Sequence, residues 1–373
     1  MIKKSLLFIF ATVLIFACGG NEGDDDSGGG SSSDGDGFDR GAMLTHLADD
    51  IIIPAFADFQ EKTGDLVEKT TSFTSAPDDT NLEALKTSWL DAYKTWQYVE
   101  MFNIGKAEEL EYPFYVNIYP ASVTEIENNI SNGGYDLELP VNYDAQGFPA
   151  IDYLLYGVGA DSDAVLAKYT TDDNAEAYKT YLRDVVARID SLTTTILDDW
   201  NDTYRDQFVS STGNTATSAF NMLANDFVYY FEKGFRTNKV GIPSGQWSIN
   251  TLPQNVEAYY NQEVSKTLAL ESLTAIEDFF NGKNYNSTAE SLGFKAYLEF
   301  LDRDDLATSI TSQFALIDTA LNELNDNFVT QIADDNTKME EAFDIIQVNV
   351  VNFKVDMLQA FDVSVDYADA DGD

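Results

Sequence analysis

Apolar residues recur along this chain at steps of three and four positions, the spacing of one face of an α-helix. The clearest stripes run over residues 178–204, 306–324 and 339–357. No run of strict apolar–polar alternation is long enough to indicate a sheet. Narrow stripes on long helices that short loops join are typical of antiparallel bundles, so the pattern predicts an all-α fold.

Two less regular segments, residues 112–146 and 239–255, are marked by Pro and Gly. Each follows a pair of long helices, and residues 147–155 match residues 293–301 at four of nine positions. We therefore predict an internal duplication that gives two helical-bundle domains. The predicted domains comprise residues 39–165 and 166–368.

Polar residues at the starts of the stripes predict where helices begin. Asp39 is suited to cap the first helix, and Pro54 is expected to kink it. Thr80 and Thr337 each precede a Glu by three positions, which is the spacing of a capping box. We therefore expect one helix to begin at each of these two threonines.

The N-terminus carries two lysines and then an apolar run over residues 6–17, too short to span a bilayer. The run ends at Cys18 and resembles the lipobox of bacterial lipoproteins. This resemblance implies that residues 1–17 are a signal peptide, cut before a Cys that is then acylated. The alternative is an ordinary signal peptide followed by a free Cys.

Residues 18–38 are nearly all Gly, Ser, Asp, Glu and Asn, a composition that indicates a flexible acidic tether. Its cluster at Asp24 to Asp26 resembles the surface-export signals of some outer-membrane lipoproteins, although a merely solvated linker has the same composition. We predict a protein anchored to the outer membrane through acylated Cys18, on the periplasmic face or at the cell surface.

The net charge of the chain indicates which classes of partner it can bind. The chain has 64 acidic against 22 basic residues, a formal net charge of -42. Such a chain lacks the clustered Lys and Arg that bind nucleic acid phosphates, so nucleic acid is excluded as a partner. The acidic residues 369–373 lack the Glu that closes an EF-hand loop, and we interpret them as a solvated tail.

The single Cys and the single His limit metal chemistry. Thiolate clusters and the usual zinc sites need several such residues, so they are excluded. We interpret His46 as a surface or packed side chain on the first helix rather than as a metal ligand.

Three segments together resemble the imelysin-like proteins, a family that includes insulin-cleaving peptidases and iron-regulated envelope proteins. The first is residues 89–100, in which Trp, Ala, aromatic residues and Glu precede a Gly. The second is residues 147–157, and the third combines residues 239–245 with residues 256–260. The resemblance implies two similar helical bundles that meet at an interface.

The family's GxHxxE signature is altered in this chain. Gly147 is present, but Pro149 stands in place of the His and Asp152 in place of the Glu. Pro149 offers no donor or acceptor and is suited to start a helix. Asp152 alone is a poor metal site, which puts the family's metal chemistry in doubt here.

The resemblance also implies a pocket at the interface. Glu100 and Glu257 occupy positions where the family has Glu, and the basic Arg236 and Lys239 are close to the third segment. These four residues are the candidates for the pocket, with Asp152 and Glu100 as weak candidates for binding iron or another metal. The alternative is that the carboxylates are solvated helix residues.

Three functions remain open. The first is a non-catalytic binding or accessory lipoprotein linked to iron or haem acquisition, as the resemblance implies. The second is a metallopeptidase of the same family, although one His cannot make the usual zinc motif. The third is a glycan- or nutrient-binding lipoprotein that is paired with an outer-membrane transporter.

We expect the Cys18→Ala variant to be released from membranes or to remain unprocessed, because the acylated sulfur is the predicted anchor. Membrane fractionation and the apparent mass of the chain measure both effects. Normal cleavage with unchanged membrane association would contradict the lipobox interpretation.

Overall fold

The computed structural model describes residues 36–367, and there the chain is built from helices, helical turns and short connections. Within this range no strand forms, and Lys283 and Glu290 make an isolated β-bridge. The all-α prediction is confirmed. The α-helices are α1 Arg40–His46, α2 Ile53–Ser75, α3 Asp79–Trp96, α4 Lys106–Glu109, α5 Tyr112–Val116, α6 Val123–Asn132, α7 Gly147–Asp152, α8 Ser162–Thr170, α9 Ala175–Asp199, α10 Arg205–Ser210, α11 Ala219–Tyr229, α12 Ile242–Ser244, α13 Ser265–Asn281, α14 Phe294–Phe300, α15 Asp304–Asn322, α16 Phe328–Val351 and α17 Leu358–Ala360.

Several α-helices continue into a wider π-helical turn instead of ending. Pro54 lies at the second position of α2, directly after the π-helical turn Leu47–Ile52, and the backbone that leads into it is helical. A π-helical turn thus lies just before the proline, and the expected kink at Pro54 stays a prediction. The π-helical turns are Leu47–Ile52, Tyr153–Gly157, Trp200–Tyr204, Tyr230–Gly241 and Asn352–Met357, and 3₁₀ turns form at Pro140–Ala145 and Pro253–Asn255.

Aspartates set several helix starts. The Asp39 carboxylate accepts the Ala42 N–H at 2.9 Å, as predicted. The predictions at Thr80 and Thr337 are wrong, because Asp78 caps α3 and the Thr337 N–H donates to the Asp335 carboxylate. In both cases an Asp two positions upstream competes for the same donors, and a carboxylate is a stronger acceptor than a hydroxyl.

Helix α2 is the centre of the first group of helices and packs against α3 and α9. Its Phe59 is fully buried, with ring centroids 5.6 Å from Trp96 and 6.2 Å from Phe148. In a second group, α16 packs against α15 and the π-helical turn Tyr230–Gly241, while α13 packs against α15 and contacts α3. The buried apolar side chains of the described residues form one continuous cluster.

The predicted division at residues 165 and 166, and the duplication behind it, remain predictions. Helix α9 follows that boundary in sequence yet packs against α2, α7 and α8, which precede it. None of the described helices combines the length and apolar character needed to cross a bilayer. The predicted signal peptide, the lipidation site Cys18, most of the tether and the acidic tail lie outside the described residues.

Candidate functional site

The altered signature lies on the short helix α7, and Gly147 begins it with φ +77°. A Cβ at this position would stand 2.2 Å from the Val116 carbonyl oxygen. Glycine is therefore required both for the left-handed backbone and for the close approach of residue 116. Pro149 lies in the first turn of the helix and is buried, in agreement with a role at the helix start.

Asp152, the other altered position, is buried and binds backbone rather than solvent. Its two carboxylate oxygens accept the N–H groups of Tyr260 at 2.7 Å and Asn261 at 2.9 Å. These donors belong to a tight turn in which Ala258 and Gln262 have positive φ. The carboxylate thus holds the turn that directly follows Glu257.

Burial raises the pKa of the Asp152 carboxyl to about 7, and the two backbone N–H donors oppose this rise. The ordinary pKa of an Asp is about 3.9. The carboxyl group therefore takes up a proton in the folded chain at a pH where the unfolded chain has already lost it.

Glu257 and Lys239, two of the predicted pocket residues, form an ion pair in the interior. The Lys239 Nζ donates to Glu257 Oε2 at 2.5 Å and to Gln97 Oε1 at 2.7 Å. Only 2% and 3% of the Lys and Glu side chains are exposed, so water does not compete for these donors. A buried charge is tolerated when it is paired and hydrogen-bonded in this way.

Asn117 connects this ion pair to Glu100. Its Nδ2 donates to Glu257 Oε1 at 2.9 Å and to Glu100 Oε1 at 3.2 Å. Glu100 also accepts the Tyr230 hydroxyl at 3.2 Å. Burial raises the pKa of Glu100, Lys239 opposes the rise, and Glu257 adds to it. The Lys239 ammonium group is thus paired with Glu257 and also acts electrostatically on Glu100.

The structure brings three of the four predicted pocket residues together, Glu100, Glu257 and Lys239. Arg236 points elsewhere: its guanidinium lies 4.7 Å from the Phe343 ring centroid and 6.0 Å from that of Trp247. Asp152 acts on the same site indirectly, through the turn after Glu257.

Glu100 is partly buried and borders a cavity of about 370 Å³. The cavity lies between the segment that follows α3, the end of α5, and the junction of α11 with its π-helical turn. Polar cavity residues that the sequence did not single out include Asn117 and Asp226. No sequence motif distinguishes these two residues as site residues. Asn117 lies in an irregular segment, and Asp226 lies within an ordinary helical pattern.

His46 is a packed side chain. Its Nδ1 lies 2.9 Å from Asp50 Oδ2 and its Nε2 lies 2.9 Å from the Gly282 carbonyl oxygen. Among residues 36–367, no group of three or more His, Cys, Asp or Glu side chains is arranged to hold a metal ion.

Comparison with known proteins identifies the family. The model of the imelysin family, a peptidase family, matches residues 52–346, and the chain belongs to that family. Comparison with curated protein sequences gives no match.

Two solved structures share the fold. An imelysin-like protein from Psychrobacter arcticum 273-4 has a TM-score of 0.67 and 18% identity, over 88% of this chain and 97% of that one. A protein from Parabacteroides distasonis ATCC 8503, described as an iron-regulated protein A precursor, has a TM-score of 0.62 and 15% identity. It covers 87% of this chain and 97% of its own.

We expect Gly147→Ala to destabilise the chain by at least about 1–3 kcal/mol, because it adds left-handed strain and a contact with the Val116 carbonyl. Gly64→Ala is the matched control. Gly64 lies inside α2, where an added Cβ would have no neighbour within 4 Å. That substitution should stabilise the chain by about 0.5–1 kcal/mol. Urea unfolding measures both, and equal effects would contradict the role given to Gly147.

The Asp152 carboxyl should make stability depend on pH. Its pKa is about 7 when folded and about 3.9 when unfolded. The stabilisation by the protonated form is complete below about pH 4 and is lost as pH rises through 7. The unfolding free energy of the wild type relative to Asp152→Asn should fall by up to roughly 1.4 kcal/mol per pH unit across that window.

Urea unfolding of both proteins at pH 4, 5.5 and 7 measures this difference. Asp344→Asn, at an exposed position on α16, controls for the loss of one carboxyl group. If the difference in unfolding free energy between the wild type and Asp152→Asn did not change with pH, the raised pKa of Asp152 would be contradicted.

Proposed function

We propose that this imelysin-family chain is a non-catalytic binding or accessory lipoprotein of the outer membrane, linked to iron or haem acquisition. The observation that carries the proposal is the use of Asp152. Both of its oxygens accept backbone N–H groups of residues 260 and 261, at the position where the family signature has Glu. Each oxygen thus already holds one backbone N–H of the turn, which makes the side chain a weaker candidate for a shared ligand.

A metallopeptidase needs an ion held by several side chains, an open position for water and a general base within reach. Pro149 supplies no ligand atom at the signature position. Glu257 is neutralised by Lys239, and His46 is bonded to Asp50 and to the Gly282 carbonyl. The groups that could serve such a centre are therefore committed to folding, which supports binding rather than cleavage.

The link to iron rests on the family and on the similarity in fold to a protein described as iron-regulated. Glu100 and Asp152 are the candidate ligands, and they supply few oxygen atoms. We therefore propose that a bare metal ion binds weakly. Lipid anchoring through Cys18 would hold the binding protein at the outer membrane, on its periplasmic face or at the cell surface.

The test combines metal analysis and iron and haem titrations with insulin-chain digestion by the purified full chain, with and without a chelator. We expect no chelator-sensitive proteolysis. The double variant Pro149→His, Asp152→Glu should retain more metal than the wild type, because it restores an imidazole and a longer carboxylate.

Asp344→Ala is the control for Asp152→Ala, and circular dichroism checks that each variant is folded. Stoichiometric zinc or iron in the wild type, with proteolysis that Asp152→Ala abolishes and Asp344→Ala does not, would overturn the proposal. That result would establish the chain as a peptidase instead.

A further inference from the structure

We infer that the cavity beside Glu100 binds a small organic cation, an amine or guanidinium compound with an apolar body. This inference goes beyond the proposed function and does not depend on the link to iron. The cavity volume of about 370 Å³ lies within the range of about 300–1,000 Å³ that is usual for small-molecule sites. The occupant is therefore a molecule rather than a bare ion.

Asp226 gives the first reason for a cationic ligand. It lines the cavity from α11, and its Oδ2 is buried without a hydrogen-bond partner among the described residues. A buried acceptor without a donor is costly, and the cost is greatest for a charged group. A ligand N–H in the cavity would supply the missing donor and the opposite charge.

The charge balance of the cavity gives the second reason. Three carboxyl residues line it, Glu100, Asp226 and Asp366, with Lys233 as the basic residue among the described lining side chains. Lys233 Nζ lies 3.7 Å from Glu232, and the neighbouring Lys239 is paired with Glu257. The cavity is thus acidic and attracts a positive group.

Aromatic side chains give the third reason and indicate the organic body. Tyr229 and Tyr367 line the cavity as an edge-to-face pair with ring centroids 5.2 Å apart. Tyr229 is 46% exposed, and Phe114, which also lines the cavity, is 49% exposed. Aromatic faces beside carboxylates are a recurrent way of binding organic ammonium groups. A bare metal ion would instead need several converging oxygens.

The test is calorimetric titration of the full chain at pH 7.5 with benzylamine and with benzyl alcohol, which has the same shape without the charge. We expect benzylamine to bind at least about tenfold more tightly, as a hydrogen bond to a charged group implies. Burial raises the pKa of Asp226 well above its ordinary value. A bound ammonium group opposes that rise, so any proton exchange on binding is a release, and titrations in buffers of different ionisation enthalpy detect it.

Asp226→Asn keeps the shape of the side chain and should weaken benzylamine binding by about tenfold. The exposed-site variant Asp344→Asn should leave the affinity unchanged. Tyr229→Leu removes an aromatic ring that is 46% exposed, should also weaken binding and so provides a second variant. Lysine with a blocked amino and a blocked carboxyl group distinguishes a peptide ligand from a free amine. If it binds, the natural ligand is a basic peptide side chain. If only benzylamine binds, the natural ligand is a free amine.

Equal affinity for the amine and the alcohol, no binding of either, or no effect of Asp226→Asn would each overturn the inference. The two proposals fail separately, because chelator-sensitive proteolysis would overturn the proposed function and leave a benzylamine result standing.

Discussion

The buried ion pair between Lys239 and Glu257 is the interaction on which the arrangement of the site depends. It is completed by Gln97 at the end of α3 and by Asn117 after α5. The partners come from four segments that are distant in sequence, so all four must be in place before either charge is satisfied. Loss of either charged partner leaves the other as an uncompensated charge in the interior, which costs about 3–5 kcal/mol in comparable cases.

The long helices could be predicted because packing repeats the same signal every turn. The stripe that ends at Tyr204 is observed as α9 followed by a π-helical turn. Helix starts were less predictable, since neighbouring aspartates and threonines compete for one set of N–H groups. The sequence shows which residues are able to cap a helix. The stronger hydrogen-bond acceptor among them is the one that caps it, as Asp78 does for α3.

The site was predictable in part. Glu100, Glu257 and Lys239 were proposed through resemblance and lie together, whereas Arg236 does not join them. The α-helical spacing of the sequence does not explain why Tyr230 and Lys239 reach the same cluster. Tyr230 and Lys239 are nine positions apart, which is half a turn out of phase on an α-helix with about 3.6 residues per turn. In the wider π-helical turn Tyr230–Gly241, whose hydrogen bonds join residues five apart, the Tyr230 hydroxyl donates to Glu100 and the Lys239 ammonium group to Glu257.

The π-helical turn makes the site depend on the number of residues in this segment and not only on which residues they are. Removing one residue from this segment would favour return to an α-helix, in which Lys239 would lie eight positions after Tyr230 and about 80° out of phase with it. Lys239 would then leave Glu257, even though every side chain of the cluster was still encoded. A related sequence that lacks one residue in this segment is therefore expected to lack the buried ion pair, even when it retains both Lys239 and Glu257.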